Sequence, residues 1–346
     1  MSATIKDVAK AAGVSVASVS RALNGHDNVT ADTRKRILHA ADSLRYMPNG
    51  AARSLITRRT QTIGAVLPDL HGGFFSELIR GMDAAARARG LHLLVSSSHG
   101  SASEVGVVLR TLLGRVDGVL IMSPHADAHT LAANLPSALP SVLMNTRMRG
   151  SAYRSLSIDN HGGAYSMMQH LVRGGHRRIA FIGGPQHNFD ADERLRGYTD
   201  AMAALLPKQA ARILPGDFSE ESGYRAGVAV ADLDARPDAI FAANDMMAVG
   251  CLFALGELRI RVPQDIAVVG FDDIPIARYV NPPLTTMRVR IADMGRDALD
   301  QLADAIDGVT ATRSRRELDC SLVIRQSCGS GARADRHRVS DNVQKK

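Results

Sequence analysis

The sequence predicts an α/β protein in three parts: an N-terminal all-α head carrying a helix-turn-helix, a short hinge helix, and a two-lobed α/β body. Three observations carry that expectation. Two short amphipathic runs flank Gly13 near the start of the chain. From Thr62 onward, brief apolar runs alternate with helical stretches. Charge is divided unevenly: residues 1–61 hold ten Lys/Arg against four Asp and no Glu, which is +6 of a formal +7 for the 346-residue chain. Residues 62–328 come to −2 and residues 329–346 to +3, so only the head has an electrostatic claim on a polyanion.

In the head, Thr4 starts the first helix, with Asp7 three residues on in a capping-box-like spacing. Ile5, Val8, Ala9 and Ala12 recur at helical spacing and form its buried stripe. Gly13 supplies the turn, free to take positive φ, and Val14 closes the core beneath it. Ser15 caps the second helix, with Val19 and Leu23 inward and Val16, Ala17, Ser20, Arg21 and Asn24 outward. Short side chains around one arginine let such a helix lie close in a DNA major groove. Thr30 caps a third helix through Leu44, with Ile37, Ala41 and Leu44 on its inner side. The competing reading is a three-helix bundle with a solvated basic face.

Ile5-Lys6-Asp7-Val8-Ala9, Gly13-Val14-Ser15-Val16-Ala17-Ser18-Val19-Ser20-Arg21 and Tyr46-Met47-Pro48-Asn49-Gly50-Ala51-Ala52-Arg53-Ser54-Leu55 resemble the lactose/galactose-repressor (LacI/GalR) family, in order from about Thr4 to Arg325. The resemblance implies a sequence-specific DNA reader. It assigns operator choice to Val16 and Ala17 and base-edge reading to Arg21. Phosphate contacts, or capped helix N-termini offered to phosphates, fall to Ser15, Ser18, Ser20, Asn24 and Thr30, and Thr4 joins the DNA-contact set.

Asn49 through Leu55 has an N-cap, two alanines and no long apolar stripe, too short a run to be helical alone. It reads as a segment that orders only with DNA and a second copy. The resemblance implies that two such hinge helices pair in the minor groove, Leu55 wedging into a base step with Ala52 one turn before it. A flexible linker is the plain alternative, and Arg58-Arg59-Thr60-Gln61 reads that way.

In the body, Ile63–Leu67, Leu91–Val95, Gly118–Met122, Val142–Met144, Ile179–Ile182, Ala239–Ala242 and Ile266–Val269 are short apolar runs between helical stretches, including a helix from Phe74 to Arg89 with Leu78, Met82 and Ala85 inward. Near-continuous apolar strands between helices mean parallel sheets covered on both faces, and there are enough for two. Such folds bind ligands in the crevice at the carboxyl ends of the strands. The resemblance implies a periplasmic-binding-protein-like body crossed near Asn160, Arg288 and Asp319. The expected division is a head at 1–46, hinge and linker at 47–61, an effector-binding and dimerisation body at 62–328 and a disordered tail at 329–346. The lobes comprise about 62–160 with 289–319, and 161–288 with 320–328.

Phe74, Phe75, Ser123, Asn145, Asn188, Asp190, Arg194, Phe218, Asn244 and Asp272 fall just beyond strand ends and form the expected effector set. Arg, Asp and Asn each grip adjacent hydroxyls, and an aromatic face packs on sugar C–H groups. By resemblance, Phe75, Asn145, Asn188, Asp190, Arg194, Phe218, Asn244 and Asp272 match effector-contacting positions. Asn188 stands where the purine-binding branch carries an Arg, which favours a sugar. Asn244 and Asp272 equally suit helix capping, and Phe218 a core position.

Cys251, Cys320 and Cys328 form no CxxC pair, and His71, His99, His125 and His129 read as solvated loop residues without metal spacing. Gly183-Gly184-Pro185 lacks both the G-x-G-x-x-G spacing and the Lys of a phosphate loop. No catalytic constellation is present, so neither an enzyme nor a cofactor or metal is expected. No signal peptide opens the chain and no apolar run approaches the roughly 20 residues of a membrane span, which points to the bacterial cytoplasm and, through DNA, the nucleoid. The expected partners are a pseudo-palindromic double-stranded DNA operator, a small sugar or sugar phosphate, and a second copy. A homodimer is expected because the tail lacks the leucine heptad of the family's tetramers. The expected function is a repressor of carbohydrate-utilisation genes released by its ligand. The alternatives are the same fold used with a corepressor and, more remotely, a solute-binding receptor.

Overall fold

The structure is a computed structural model, and it describes residues 3–23, 28–47, 59–126, 128–136, 138–146, 153–309 and 315–329. The chain forms two compact units, Met1–Thr60 and Gln61–Lys346. Asn24, Asn49, Ala52, Leu55 and the tail beyond Gly329 lie outside the described residues.

The first unit packs α1 (Ile5–Ala12), α2 (Val16–Leu23) and α3 (Ala31–Ser43) around Val8, Ala9, Ala12, Val19, Ala22, Ile37, Ala40 and Ala41. The capping at α1 runs through Asp7, whose Oδ2 accepts from the Thr4 backbone N–H at 2.9 Å and from the Thr4 hydroxyl at 2.7 Å. Gly13 takes φ +62°, the left-handed conformation that the turn requires. Ser15 Oγ caps α2 by accepting from Ser18 N at 3.1 Å. Two expectations for α3 need correction. Leu44 is 37% exposed, because the helix ends at Ser43 and Ala40 fills the inner stripe. Thr30 precedes the helix, but its hydroxyl donates to Thr33 Oγ1 at 2.9 Å and caps no backbone N–H.

In the second unit, β1 (Thr62–Leu67), α4 (Gly73–Ala88), β2 (His92–Ser97), α5 (Ala102–Leu112), β3 (Gly118–Met122), α6 (Ala128–Asn134), β4 (Ser141–Met144) and β5 (Arg154–Ile158) build a first lobe. A second lobe follows with α7 (Asn160–Arg173), β6 (Ile179–Ile182), α8 (Phe189–Leu205), β7 (Arg212–Leu214), α9 (Glu220–Ala231), β8 (Ala239–Ala242), α10 (Asp245–Glu257), β9 (Ala267–Asp272) and β10 (Thr285–Arg288). The chain then returns through α11 (Ile291–Ile306) and β11 (Arg315–Leu318) to the first sheet, and β12 (Ser321–Val323) joins the second. The first sheet, ordered β11-β5-β4-β3-β1-β2, is parallel throughout. The second, β12-β10-β9-β8-β6-β7, is parallel except for β12.

Strands β3, β4, β6, β8 and β9 are buried along their whole length, as expected for sheets sandwiched between helices. Connections pass between the sheets at Asp159, at Val289–Arg290 and at Asp319–Cys320. Helices α9 and α10 approach at glycine: a Cβ on Gly250 would strike the Glu220 carbonyl, and one on Gly223 the Met247 carbonyl. Beside the crossings, the Asp273 carboxylate, its side chain only 1% exposed, accepts from Arg288 Nε at 2.6 Å and Arg325 Nη2 at 2.5 Å. This double ion pair ties the end of β9 to β10 and to the segment after β12, and so holds Asp272 at the mouth between the lobes.

Candidate functional site

Parallel sheets direct every βα turn to one edge, so the loops after β1, β3, β6, β8 and β9 converge between the lobes. They enclose a cleft of about 160 Å³. The first lobe contributes Pro68 to Phe75 in part, with Met122 and Pro124, and the second contributes Asn188, Asp190, Arg194, Phe218, Asn244 and Asp272 among others. Eight of the ten expected effector residues therefore line one cavity, Phe74 and Phe75 on one wall and the polar set opposite.

Arg194 is the hub. Its Nε donates to Asn160 Oδ1 at 2.8 Å and its Nη1 to the Ala243 carbonyl at 2.6 Å, while Nη2 lies 3.0 Å from Asp272 Oδ1. Its guanidinium sits 3.9 Å from the ring centre of Phe271 and 5.8 Å from that of Phe218, within cation–π reach. Asp190 accepts from Asn160 Nδ2 at 2.7 Å and from Asn145 Nδ2 at 3.2 Å. Burial pushes the Asp190 carboxyl up to about 6, against the opposing pull of Arg194 and the two amide donors. Burial likewise lifts Asp272 to about 6, with Arg194 the main opposing influence. Asn145, Phe218 and Asp272 adopt positive φ of 44°, 72° and 114°. Strain of about 1–3 kcal/mol per such residue persists where surrounding contacts enforce it, and it gathers at functional sites.

Two expected residues fall outside the cavity lining. Ser123 is buried behind it, because β3 delivers Met122 and Pro124 to the surface instead. Asn145 is 1% exposed and acts as a strut: its Oδ1 accepts from Ile158 N at 3.2 Å while its amide reaches Asp190 on the other lobe. Asn188 and Asn244 line the cleft and also cap helices. Asn188 Oδ1 accepts from Asp190 N and Ala191 N, and Asn244 Oδ1 from Met247 N at 2.9 Å. Sequence reasoning missed Asn160, which bridges Asp190 and Arg194; its position just after β5 is the same signal that marked the others. His71 is an exposed loop residue, as expected, and also lines the cleft, whereas His125, in a turn, is half-buried with its Nε2 3.4 Å from Asn188 Nδ2. His129 belongs to α6, not to a loop. Among the described residues no group of His, Cys, Asp and Glu could hold a metal ion.

In the head, Val16, Ala17 and Arg21 are exposed on α2 with Ser15 exposed at its N-cap, and Val16 is 41% exposed although apolar. Thr4 and Thr30 are exposed, and Ser18 and Ser20 half-buried. Not every basic residue of the head is free for a ligand. Arg34 Nη1 donates to the Ala22 carbonyl at 2.9 Å and Arg36 Nη2 to the Ala12 carbonyl at 2.6 Å, closing the C-terminal ends of α2 and α1.

Residues 4–49 match the family described as bacterial regulatory proteins, lacI family, and residues 168–328 a periplasmic binding protein-like domain. The HTH-type transcriptional regulator CelR of Thermobifida fusca is 36% identical over 334 residues, spanning 94% of this chain and 98% of the relative. The chain belongs to the LacI family. As a LacI-family transcriptional regulator it also superposes on solved members. A lac repressor dimer bound to operator and the anti-inducer ONPF matches with a TM-score of 0.85 and 29% identity, covering 95% of this chain and 99% of that one. A CelR–cellobiose complex matches with a TM-score of 0.69 and 34% identity, covering 94% and 99%. Among the described residues, no helix of this LacI-family chain is long and apolar enough to cross a membrane.

Proposed function

We propose that the protein is a cytoplasmic, dimeric repressor that grips a pseudo-palindromic operator through α2 and releases it when a small sugar occupies the cleft. The carrying observation is the buried Asp190–Arg194–Asp272 constellation facing Phe74 and Phe75 in one inter-lobe cavity, in a chain whose head exposes Val16, Ala17 and Arg21 together. Val16 and Ala17 select the site, Arg21 reads a base edge, and the serines and threonines of the head contact phosphates. Asn49, Ala52 and Leu55 form the hinge that pairs in the minor groove. The head spans 1–46, the hinge and linker 47–61, and the body 62–328.

A sugar that contacts both lobes binds the closed body better than the open one and shifts the population toward closure. If closure separates the paired hinges, operator affinity falls by a coupling of typically about 1–3 kcal/mol. The lac repressor dimer on its operator and the CelR–cellobiose complex lend support, one for each half of the reading. The test is a titration of operator binding at fixed salt while sugars are added. Weakened binding is expected. Tightened binding reverses the sign to corepression, and a sugar that binds without changing operator affinity removes the coupling.

A further inference from the structure

The two lobes meet on the cleft wall at a distance from the crossings. Pro124 and Asn188 both line the cleft, one from each lobe. The Phe189 backbone N–H donates to the Pro124 carbonyl at 3.1 Å, and Asn188 Nδ2 lies 3.4 Å from His125 Nε2. Strand β3, which leads into Pro124, sits two strands from β5 in its sheet, about 10 Å at ordinary strand spacing. Strand β6, which leads into Asn188, sits three strands from β10. Opening the body about its crossings therefore breaks this contact.

Both halves of the contact are fixed locally. Ala126 N donates to the Ser123 carbonyl at 3.4 Å and closes a turn with Pro124 and His125 at its centre, proline standing where its fixed φ suits such turns. Across the cleft, Asn188 caps α8: its Oδ1 accepts from Asp190 N at 3.0 Å and Ala191 N at 3.1 Å. The Phe189 N–H, which a helix leaves without an acceptor of its own, goes to Pro124. With the Asn188 carbonyl so occupied, its amide faces His125; an amide nitrogen only donates, so His125 Nε2 accepts. Asn188 is only 5% exposed, so removing that acceptor strands an N–H away from water.

Gly73 and Ile274, also in the lining, touch by packing, since a Cβ on Gly73 would stand 3.0 Å from Ile274. Such contact is non-directional. The turn and the helix end supply two directed bonds.

We propose that the turn at Pro124 and His125 is a latch, which closes the body on its cleft by holding the first turn of α8, and that its release is a step in ligand exchange. The second clause rests on the cleft being the effector site; the first does not.

Hydrogen exchange on the full-length protein, with no sugar added, reads the latch directly. His125→Leu keeps bulk but offers no acceptor, and the Phe189 N–H should exchange roughly tenfold faster, the factor that matches one hydrogen bond. His125→Gln restores an acceptor oxygen and should bring exchange back to within about twofold of wild type. The Asp190 and Ala191 N–H groups, bonded inside the second lobe, should stay as protected as in wild type. Equal exchange at Phe189 in the two variants, or loss of protection at all three positions together, overturns the latch.

Phe189→Pro tests it independently if the histidine variants fail to fold. Proline suits the first position of a helix and lacks the N–H, and Asn188 at φ −96°, ψ 123° already has the extended backbone that a following proline requires. Compared with Phe189→Ala, which keeps the N–H, it should release bound cellobiose, ribose or glucose roughly tenfold faster, read from NMR line shapes. Equal release rates overturn the gating role. If none of the three sugars binds, the effector reading loses its support and hydrogen exchange still judges the latch.

Discussion

Arg194 and Asp272 meet between α8 and the end of β9 as a buried ion pair, Nη2 to Oδ1 at 3.0 Å, with side chains only 4% and 6% exposed. Desolvating two charges is costly, and the same guanidinium also offsets Asp190. Arg194→Met should therefore leave two carboxylates without a counter-charge and cost about 3–5 kcal/mol of stability at neutral pH. Chemical denaturation of the full chain checks this, and a loss under about 1 kcal/mol would show that the pair contributes little. Arg194→Lys should recover part of the loss, since an ammonium keeps the charge but not the planar fork.

The raised carboxyls of Asp190 and Asp272 give a pH signature. Their folded values of about 6 lie above the ordinary 3.8, so between those limits the folded chain binds more protons than the unfolded one. Stability should fall as pH rises from about 4 to 6 and then level off, by an amount on the order of 3 kcal/mol for each carboxyl. Asp245, buried against the Thr286 hydroxyl and Ile274 N–H, is raised as well and acts in the same direction. The reading is thus the difference between wild type and Asp272→Asn: the variant's profile should be flatter over that window. Parallel profiles would place the proton elsewhere.

Asn145 joins the lobes through Asp190 without lining the cleft. Asn145→Ala removes that bridge and leaves the Ile158 N–H without its acceptor, a loss of about 1–3 kcal/mol. Sugar affinity should drop roughly tenfold while operator binding without sugar stays near wild type. Unchanged sugar affinity would reduce Asn145 to a local backbone clamp.

Two arginines of the head should behave oppositely. Arg21→Ala, at an exposed site, should keep the head folded and relax base preference at one position by about 1–3 kcal/mol. Arg36→Ala removes the donor to Ala12 O and should cost about 1 kcal/mol of head stability with base preference retained. Competition binding against operator variants, paired with thermal melts, separates the two.

The apolar runs that became β1, β3, β4, β6, β8 and β9 were legible because strands buried on both faces must be apolar throughout. β5, β10 and β11, with sequences RSLSI, TTMR and RREL, carried no such signal, since their existence depends on the neighbours they pair with. Leu44 was misplaced because the apolar periodicity runs one residue past the helix, which ends at Ser43.

The linear order of residues determined that this chain has a basic helix-turn-helix followed by a parallel α/β body, and which residues lie just past strand ends. Those are local matters of periodicity, capping and charge. Only the tertiary structure decided how the strand-end residues divide their labour: Asn188 and Asn244 also cap helices, Asn145 props one lobe against the other, Ser123 withdraws, and Asn160 joins Asp190 to Arg194. Hydrogen-bond directions between segments far apart in the chain set those roles, and they exist only once both sheets are built and face each other across the cleft.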